Sequence, residues 1–167
     1  MAISTEDVKR LREETSAGVM DAKRALEDAG GNFDKAKELL REKGVAAAAK
    51  RSDRATGQGV VEAYIHGGGR IGAMVEIQCE TDFVARTDSF KQLAKDVAMQ
   101  IAAMNPVALT PEEVPADTAG TPEENALLTQ AFIRDGSKTI QQLVQDTVAA
   151  TGENIRIARF SRFELGR

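Results

Sequence analysis

Residues with side chains able to carry out chemistry are few in this sequence. His66 is the only histidine, and one histidine cannot hold a metal ion without further ligands at matching spacing. Cys79 is the only cysteine, and it falls in phase with the apolar side of a predicted strand, so we expect a buried, unreactive thiol. The run HGGGR at 66–70 lacks the Walker spacing and a following helix, which favours a hairpin turn over a phosphate-binding loop. We therefore predict a protein without a cofactor, a metal site or chemical catalysis of its own.

The charge balance argues against direct binding of nucleic acid. The 167 residues contain 22 Lys and Arg against 26 Asp and Glu, whereas phosphate binding needs concentrated basic residues. A single cysteine cannot form an internal disulfide and is typical of a reducing compartment. The N-terminus is polar, and no stretch approaches the ~18 apolar residues of a membrane span. We expect a cytoplasmic protein that binds neither membranes nor nucleic acid.

Helical patterns fill the first fifty residues. Apolar residues recur at helical spacing in three short stretches that are separated by glycines. We expect the third helix to end at Gly44. The sequence thus predicts a three-helix bundle over residues 1–50, followed by a basic, glycine-containing connector over 51–59.

The remaining residues, 60–167, predict an α+β domain. Two strands flank a glycine turn, and a regular helical pattern then runs from Phe90 to Met104. Further helix starts are predicted at Thr121 and Ser137, and the chain closes with a strand. The order β-β-α-α-α-β predicts a three-stranded antiparallel sheet that is covered by helices on one face.

Met20 and Lys23 stand out within the second predicted helix. On a helical wheel they are neighbours that lie off the apolar stripe of Ala22, Leu26 and Ala29. Exposed methionine is typical of adaptable binding surfaces. The alternative is that Met20 packs against the third helix, and the pattern leaves both interpretations open.

Phe83 belongs to neither of the two apolar patterns that flank it. The alternating strand ends at Cys79, and the apolar face of the next helix begins at Phe90. Phe83 could fold back to plug the domain. It could instead be an aromatic anchor, flanked by Asp82 and Arg86, that inserts into a pocket of a partner, since such aromatics often carry interface energy.

Two segments of the sequence resemble a known protein family. LREETSAGVMDAKRAL at 11–26 and ETDFVAR at 80–86 resemble the two signature segments of elongation factor Ts, the nucleotide-exchange factor for the translational GTPase elongation factor Tu. GVVEAYIH at 59–66 and GENIRIARFSRFELG at 152–166 fit the same family, so the resemblance spans essentially the whole chain. Ser16 and Val19 depart from it, since glycine and methionine are more usual there.

The resemblance implies two functional surfaces on this chain. The N-terminal bundle resembles a ubiquitin-associated-like domain that docks on a helix of the GTPase. The positions that match the docking residues are Arg12, Val19, Met20 and Lys23. The positions that match the segment held to dislodge Mg²⁺ from the GTPase are Thr81, Asp82, Phe83 and Val84. The implied function is guanine nucleotide exchange on elongation factor Tu, without chemistry by the factor itself.

The chain is short for this family. Only about 46 residues separate Asn105 from Gly152, whereas longer members have two core subdomains and a protruding helical hairpin. One half-core leaves apolar surface uncovered, and a phase break at Arg159-Phe160 puts apolar side chains on both faces of the last strand. Short members of the family pair two copies, so we expect a two-fold homodimer.

A different function class is compatible with the residues alone. In it, the three-helix bundle binds a peptide through Met20, and the β-domain only dimerises. Such an adaptor would bind the GTPase regardless of nucleotide, whereas an exchange factor must compete with GDP.

Overall fold

The computed structural model describes residues 3–15 and 17–167, which divide into two units. The first unit contains residues up to Asp53 together with 145–154, and the second contains 54–144 together with 155–167. None of the helices in the described part of the chain is both long and apolar enough to cross a membrane.

Three helices form the first unit's bundle: α1 (Thr5–Thr15), α2 (Val19–Asp28) and α3 (Phe33–Ala49). Asn32 caps α3 by accepting a hydrogen bond from the backbone N–H of Lys35 at 3.0 Å. The buried residues that the three helices share are small or aliphatic: Leu11, Ala22, Ala25, Leu26, Ala29 and Ala36. The predicted bundle is therefore confirmed.

The third helix is longer than predicted. It does not end at Gly44 but continues to Ala49. A glycine inside a helix costs about 1 kcal/mol relative to alanine, and the alanines at 46–49 have the highest helix propensity of any residue. The propensity of the alanine run outweighs the single glycine.

A three-stranded antiparallel sheet is the centre of the second unit. Its strands are β1 (Gln58–His66), β2 (Ile71–Cys79) and β5 (Ile155–Glu164), and β2 lies in the middle. The inner face of β2 consists of side chains that the sequence placed together, Ala73, Val75, Ile77 and Cys79, all buried. The predicted sheet is confirmed, and with it the α+β class.

A β-bulge in β5 explains the phase break of the last strand. Ile157 lies opposite Ile77, whereas Arg159 lies opposite the preceding residue Glu76, so Ala158 is the extra residue. The bulge restores the register after it. Phe160, opposite Val75, thus faces the same side as Ile157.

Helix α5 (Asp88–Met104) covers the inner face and lies against β1 and β2. Its N-cap is Thr87, and it ends at Asn105, whose φ of 49° places it in the left-handed region. The residues buried along it match the predicted face: Phe90, Leu93, Ala94, Val97 and Ile101. Met104, the last residue of the predicted face, is exposed.

The segment after α5 differs most from the prediction. Thr121 forms the predicted capping box with Glu124, but helix α6 is a single turn (Pro122–Asn125). Ser137 does not start a helix, because it lies in β4 (Asp135–Thr139), which pairs with β3 (Ala131–Phe132) in a second, two-stranded sheet. Helix α7 (Ile140–Thr151) begins three residues later than predicted.

Thr139 is the residue that sets the start of α7. Its hydroxyl accepts from the N–H of Gln142 at 3.2 Å, and the Gln142 side chain accepts from the N–H of Thr139 at 2.8 Å. This reciprocal capping satisfies two backbone donors at once.

Candidate functional site

The chain makes a tight corner between β2 and α5, and Phe83 lies on it. Thr81 is the N-cap of α4 (Asp82–Ala85), a helix of four residues, and its hydroxyl accepts from the N–H of Val84 at 3.3 Å. Phe83 is 78 % exposed, whereas Val84 is 5 % exposed. Because consecutive helical residues point about 100° apart, burying Val84 and Ala85 turns Phe83 towards solvent.

Phe83 is thus not a plug of the domain. An aromatic side chain of this exposure buries only a minor part of its apolar area in the folded chain, so it adds little to the core. Of the two interpretations that the sequence left open, the geometry excludes the one in which Phe83 is a core residue.

Asp82 lies beside Phe83 and forms an ion pair with Arg86. The Nη2···Oδ2 distance is 2.9 Å, and both side chains are exposed. Surface ion pairs of this kind contribute roughly 0–1 kcal/mol, so the carboxylate can exchange partners at little cost. The corner presents an aromatic ring next to an accessible carboxylate.

Thr87 closes the corner and starts the next helix. Its hydroxyl donates to the carbonyl of Val84 at 2.7 Å and accepts from the N–H of Phe90 at 3.3 Å. The same side chain therefore ends one helix and caps the next. The corner is fixed at this end to α5, whose first buried residue is Phe90.

The other end of the corner is fixed to the sheet through Cys79. This cysteine is buried, as the alternation of β2 predicts, and its thiol donates to the carbonyl of Thr81, with an Sγ···O distance of 3.1 Å. Glu80, between them, accepts from Arg54 at 3.4 Å. The contact of the thiol with Thr81 has no signal in the sequence pattern, because alternation predicts burial but not hydrogen bonding.

The N-terminal bundle carries the second group of predicted site residues. Met20 is 59 % exposed and Val19 is 53 % exposed, so neither packs in the core of the bundle. Arg12 and Lys23 are exposed as well, and the Lys23 ammonium lies 3.9 Å from Glu27. The structure thus places all four predicted docking residues at the surface of this unit. Ser16 lies outside the described residues.

The outer face of the three-stranded sheet is a third exposed surface. It combines apolar side chains from all three strands, and those that are exposed are Val61, Ile65, Met74 and Phe163, with Leu165 just beyond β5. The short half-core predicted that apolar surface would be uncovered, but it did not indicate which residues form that surface. Their signal is present in β1, where apolar residues occupy both alternating positions.

The charged end of this outer face is held by side-chain contacts. Glu76 accepts from the guanidinium of Arg159 at 2.7 Å and from the amide of Gln78 at 2.7 Å. The hydrogen bond from Arg159, with that from Gln78, lowers the pKa of the Glu76 carboxyl below its ordinary value. The outer face is therefore apolar at one end and ion-paired at the other.

His66 and the glycine turn form no site of their own. His66 lies at the exposed end of β1, where its Nδ1 is 3.0 Å from the hydroxyl of Tyr64 and the two rings stack. The following glycines form the predicted hairpin turn between β1 and β2. Across residues 3–15 and 17–167, no group of three or more His, Cys, Asp or Glu is arranged to hold a metal ion.

Comparison with known proteins identifies the family. A family model described as elongation factor TS matches residues 5–124. A protein from Rubrobacter xylanophilus called elongation factor Ts is 45 % identical over 195 aligned positions, covering 99 % of this chain and 100 % of the relative. Proteins of the same name from Syntrophomonas wolfei and Desulforamulus reducens are each 48 % identical over 98 % of this chain, and over 91 % and 89 % of their own lengths.

The alignment also measures how short the chain is. The 195 aligned positions exceed its 167 residues, so the relative contains segments that this chain lacks. Both signature segments, with the docking positions and the corner residues, lie inside the range that the family model matches. The chain belongs to the elongation factor Ts family of translation elongation factors.

Proposed function

We propose that this protein is a guanine nucleotide exchange factor for elongation factor Tu, which promotes release of GDP during translation elongation. The observation that carries this proposal is the exposed Phe83 beside Asp82 on a corner that is capped at both ends. In the proposed mechanism, the ring enters the GTPase next to the magnesium and phosphate site. The carboxylate of Asp82 then perturbs the hydrogen bonds around the metal.

The exposure of Phe83 supports insertion into a partner. A solvated aromatic ring gains free energy when it is desolvated, and hot spots of about 2–4 kcal/mol are typically buried aromatic or arginine side chains. Thr81 and Val84 have a different proposed role from the two residues between them. Thr81 caps the turn, and Val84 anchors it in the core, so both hold Asp82 and Phe83 in place.

We propose that Arg12, Val19, Met20 and Lys23 dock the N-terminal bundle on the GTPase. Their exposure leaves an apolar pair, Val19 and Met20, with Lys23 one turn further along the same helix and with Arg12 exposed on α1. Methionine adapts to irregular surfaces, and the cations supply orientation. In this division, residues 1–50 are the docking domain, 51–59 the connector, and 60–167 the exchange and dimerisation domain.

Thermodynamic linkage sets the difference in affinity that the corner must provide between the nucleotide-free and the nucleotide-bound GTPase. An exchange factor binds the nucleotide-free GTPase more tightly than the nucleotide-bound form, and nucleotide weakens the factor by the same ratio. Shifting an equilibrium from 1:99 to 99:1 needs roughly 5.5 kcal/mol of differential affinity. Contacts made by Phe83 only after nucleotide release would supply a large share, whereas docking that is equal in both states would supply none.

We also propose that two copies of the chain pair through the outer face of the sheet. Exposed apolar side chains on three adjacent strands form a continuous surface, which monomeric proteins rarely leave uncovered. Two-fold pairing would bury the same surface on both copies.

Release of a fluorescent GDP analogue from elongation factor Tu tests the proposed function. We expect stopped-flow traces to accelerate with added protein and to reach a saturated rate. We further expect excess GDP to weaken the complex. Binding that is insensitive to nucleotide, with no acceleration of release, would instead establish a peptide-binding adaptor.

A further inference from the structure

The turn that carries Phe83 is too short to hold its own shape. Helix α4 has four residues, whereas isolated helices shorter than about 12–15 residues are marginal in water. A side chain that inserts into a partner, as proposed for Phe83, is effective only when it is held in one arrangement, because ordering it on binding costs free energy. Contacts from outside the turn must therefore supply its rigidity.

We propose that Cys79 is a positioning residue for Phe83 and that it acts through the carbonyl of Thr81; this inference rests on the proposed function. The Cys79 thiol donates to that carbonyl at 3.1 Å. The same carbonyl accepts the first helical hydrogen bond, from the N–H of Ala85 at 3.3 Å. Both lone pairs of the Thr81 carbonyl are thus used before the turn begins.

The thiol is itself fixed to the most rigid part of the sheet. Cys79 is the last residue of the central strand β2, and it is paired with Gln58 on one side and Ile155 on the other. It is fully buried, so water cannot replace its hydrogen bond if the donor is removed. A continuous set of contacts therefore runs from the sheet through Thr81 to Phe83.

Loss of this hydrogen bond acts on exchange more than on docking. Thr81 would keep its side-chain cap to Val84, so the turn would still form, but its carbonyl would be held from one side only. Phe83 would then reach its cleft in a smaller fraction of complexes. The affinity supplied by Met20 and its neighbours would be unchanged, because those residues belong to another unit.

Two substitutions separate this role from simple packing. Cys79→Ala removes the donor, whereas Cys79→Ser keeps an O–H donor on the same carbon but places a polar group among apolar side chains. We expect Ala to lower the saturated rate of GDP release about threefold or more, the scale of one lost hydrogen bond, and Ser to stay within about twofold of wild type. Packing alone predicts that Ser is no better than Ala.

Ile77→Val is the matched control, because Ile77 is buried on the same face of β2 and its side chain carries no hydrogen-bond donor. Its melting temperature should fall while its saturated exchange rate stays normal. Equal exchange by wild type and Cys79→Ala, or equally slow exchange by Ala and Ser, would overturn the proposal.

A spectroscopic measurement keeps this inference separate from the proposed function. The protein has one thiol, so its S–H stretching band in the Raman spectrum reports Cys79 alone. We expect a band at lower frequency than that of an unbonded thiol. An unshifted band would overturn the contact, whereas a shifted band in a protein that fails to release GDP would overturn only the exchange function.

Discussion

Phe83 and Val84 are neighbours in a single helical turn, yet one side chain is 78 % exposed and the other 5 %. The burial of Val84 fixes the orientation of the turn, and that orientation directs Phe83 away from the core. A residue presented in this way can be removed without loss of packing. The two positions therefore allow stability and exchange to be tested separately.

Phe83→Ala should leave the fold intact and slow the saturated release of GDP from elongation factor Tu about tenfold or more. Tenfold corresponds to about 1.4 kcal/mol, a modest interface hot spot. Val84→Ala is the matched control and should instead lower the free energy of unfolding by about 1.5 kcal/mol, since two buried methyl groups are lost. Thermal melting and stopped-flow exchange of both variants decide the matter. A large stability loss in Phe83→Ala with normal exchange would refute the proposed insertion of Phe83 into the GTPase.

The sequence left the exposure of Phe83 open, because the local registers show only that Phe83 belongs to neither flanking pattern and could still fold back as a plug. The strand pattern ends at Cys79 and the helix pattern begins at Phe90, so a residue in phase with neither is free to leave the core. The sequence left the exposure of Met20 open as well, because a third helix could have covered it. Its exposure became clear only from the packing of the bundle.

The region after α5 was not predictable, because its contacts join residues far apart in sequence. Gln100 is fully buried, and its side chain donates to Gln130 and to the carbonyl of Ala131, and accepts from the N–H of Ile133. A buried glutamine that is satisfied in this way holds the extended segment against α5. Local patterns predicted helix starts at Thr121 and Ser137, because such patterns contain no information about contacts with Gln100.

Substitutions in the N-terminal bundle should weaken docking on the GTPase and leave the saturated exchange rate unchanged. Met20→Glu combined with Lys23→Glu should weaken the complex with elongation factor Tu by about tenfold or more, because it removes an apolar contact and reverses a charge. Saturating concentrations of the variant should still accelerate GDP release. Titrations of the exchange rate give both quantities, and Lys35→Glu, an exposed charge reversal on α3, serves as the control. Collapse of the saturated rate would contradict this division.

Gly59 is required by the pairing of β1 with β2. Its φ is 152°, and a Cβ at this position would lie 2.0 Å from the carbonyl oxygen of Ile77. Gly59→Ala should therefore lower the free energy of unfolding by roughly 1–3 kcal/mol, because backbone must move. Gly57→Ala, where a Cβ would meet nothing within 4 Å, should be close to neutral. Denaturant unfolding of the two variants compares them directly, and equal midpoints would show that the strands can shift.

The bundle should lose stability in acid through Glu14. Hydrogen bonds from Lys37 and Arg10 lower the pKa of the Glu14 carboxyl below its ordinary value of 4.5. Because this pKa is lowered, the stability that ionised Glu14 contributes is fully present above pH 4.5. It is lost as the pH falls through the pKa of Glu14 in the folded protein. Glu14→Gln should lower the stability of the bundle at neutral pH and remove this loss of stability in acid. Far-ultraviolet circular dichroism melts at pH 7 and pH 3 measure it, and an unchanged difference between the two in the variant would exclude Glu14 as the cause.

The outer face of the sheet should decide the oligomeric state, and Phe163 is the residue to test. It is 72 % exposed near the end of β5, on the same face as Met74 and Ile65, so it contributes much of the apolar area proposed to be buried between two copies. Phe163→Asp should yield a monomer of 17.9 kDa by light scattering at micromolar concentration, because a charge would be desolvated at the interface. Val19→Ser removes an exposed apolar side chain from another surface and should leave the dimer intact. A wild-type protein that already scatters as a monomer would refute the pairing, since the apolar face would then be stable in water without a second copy.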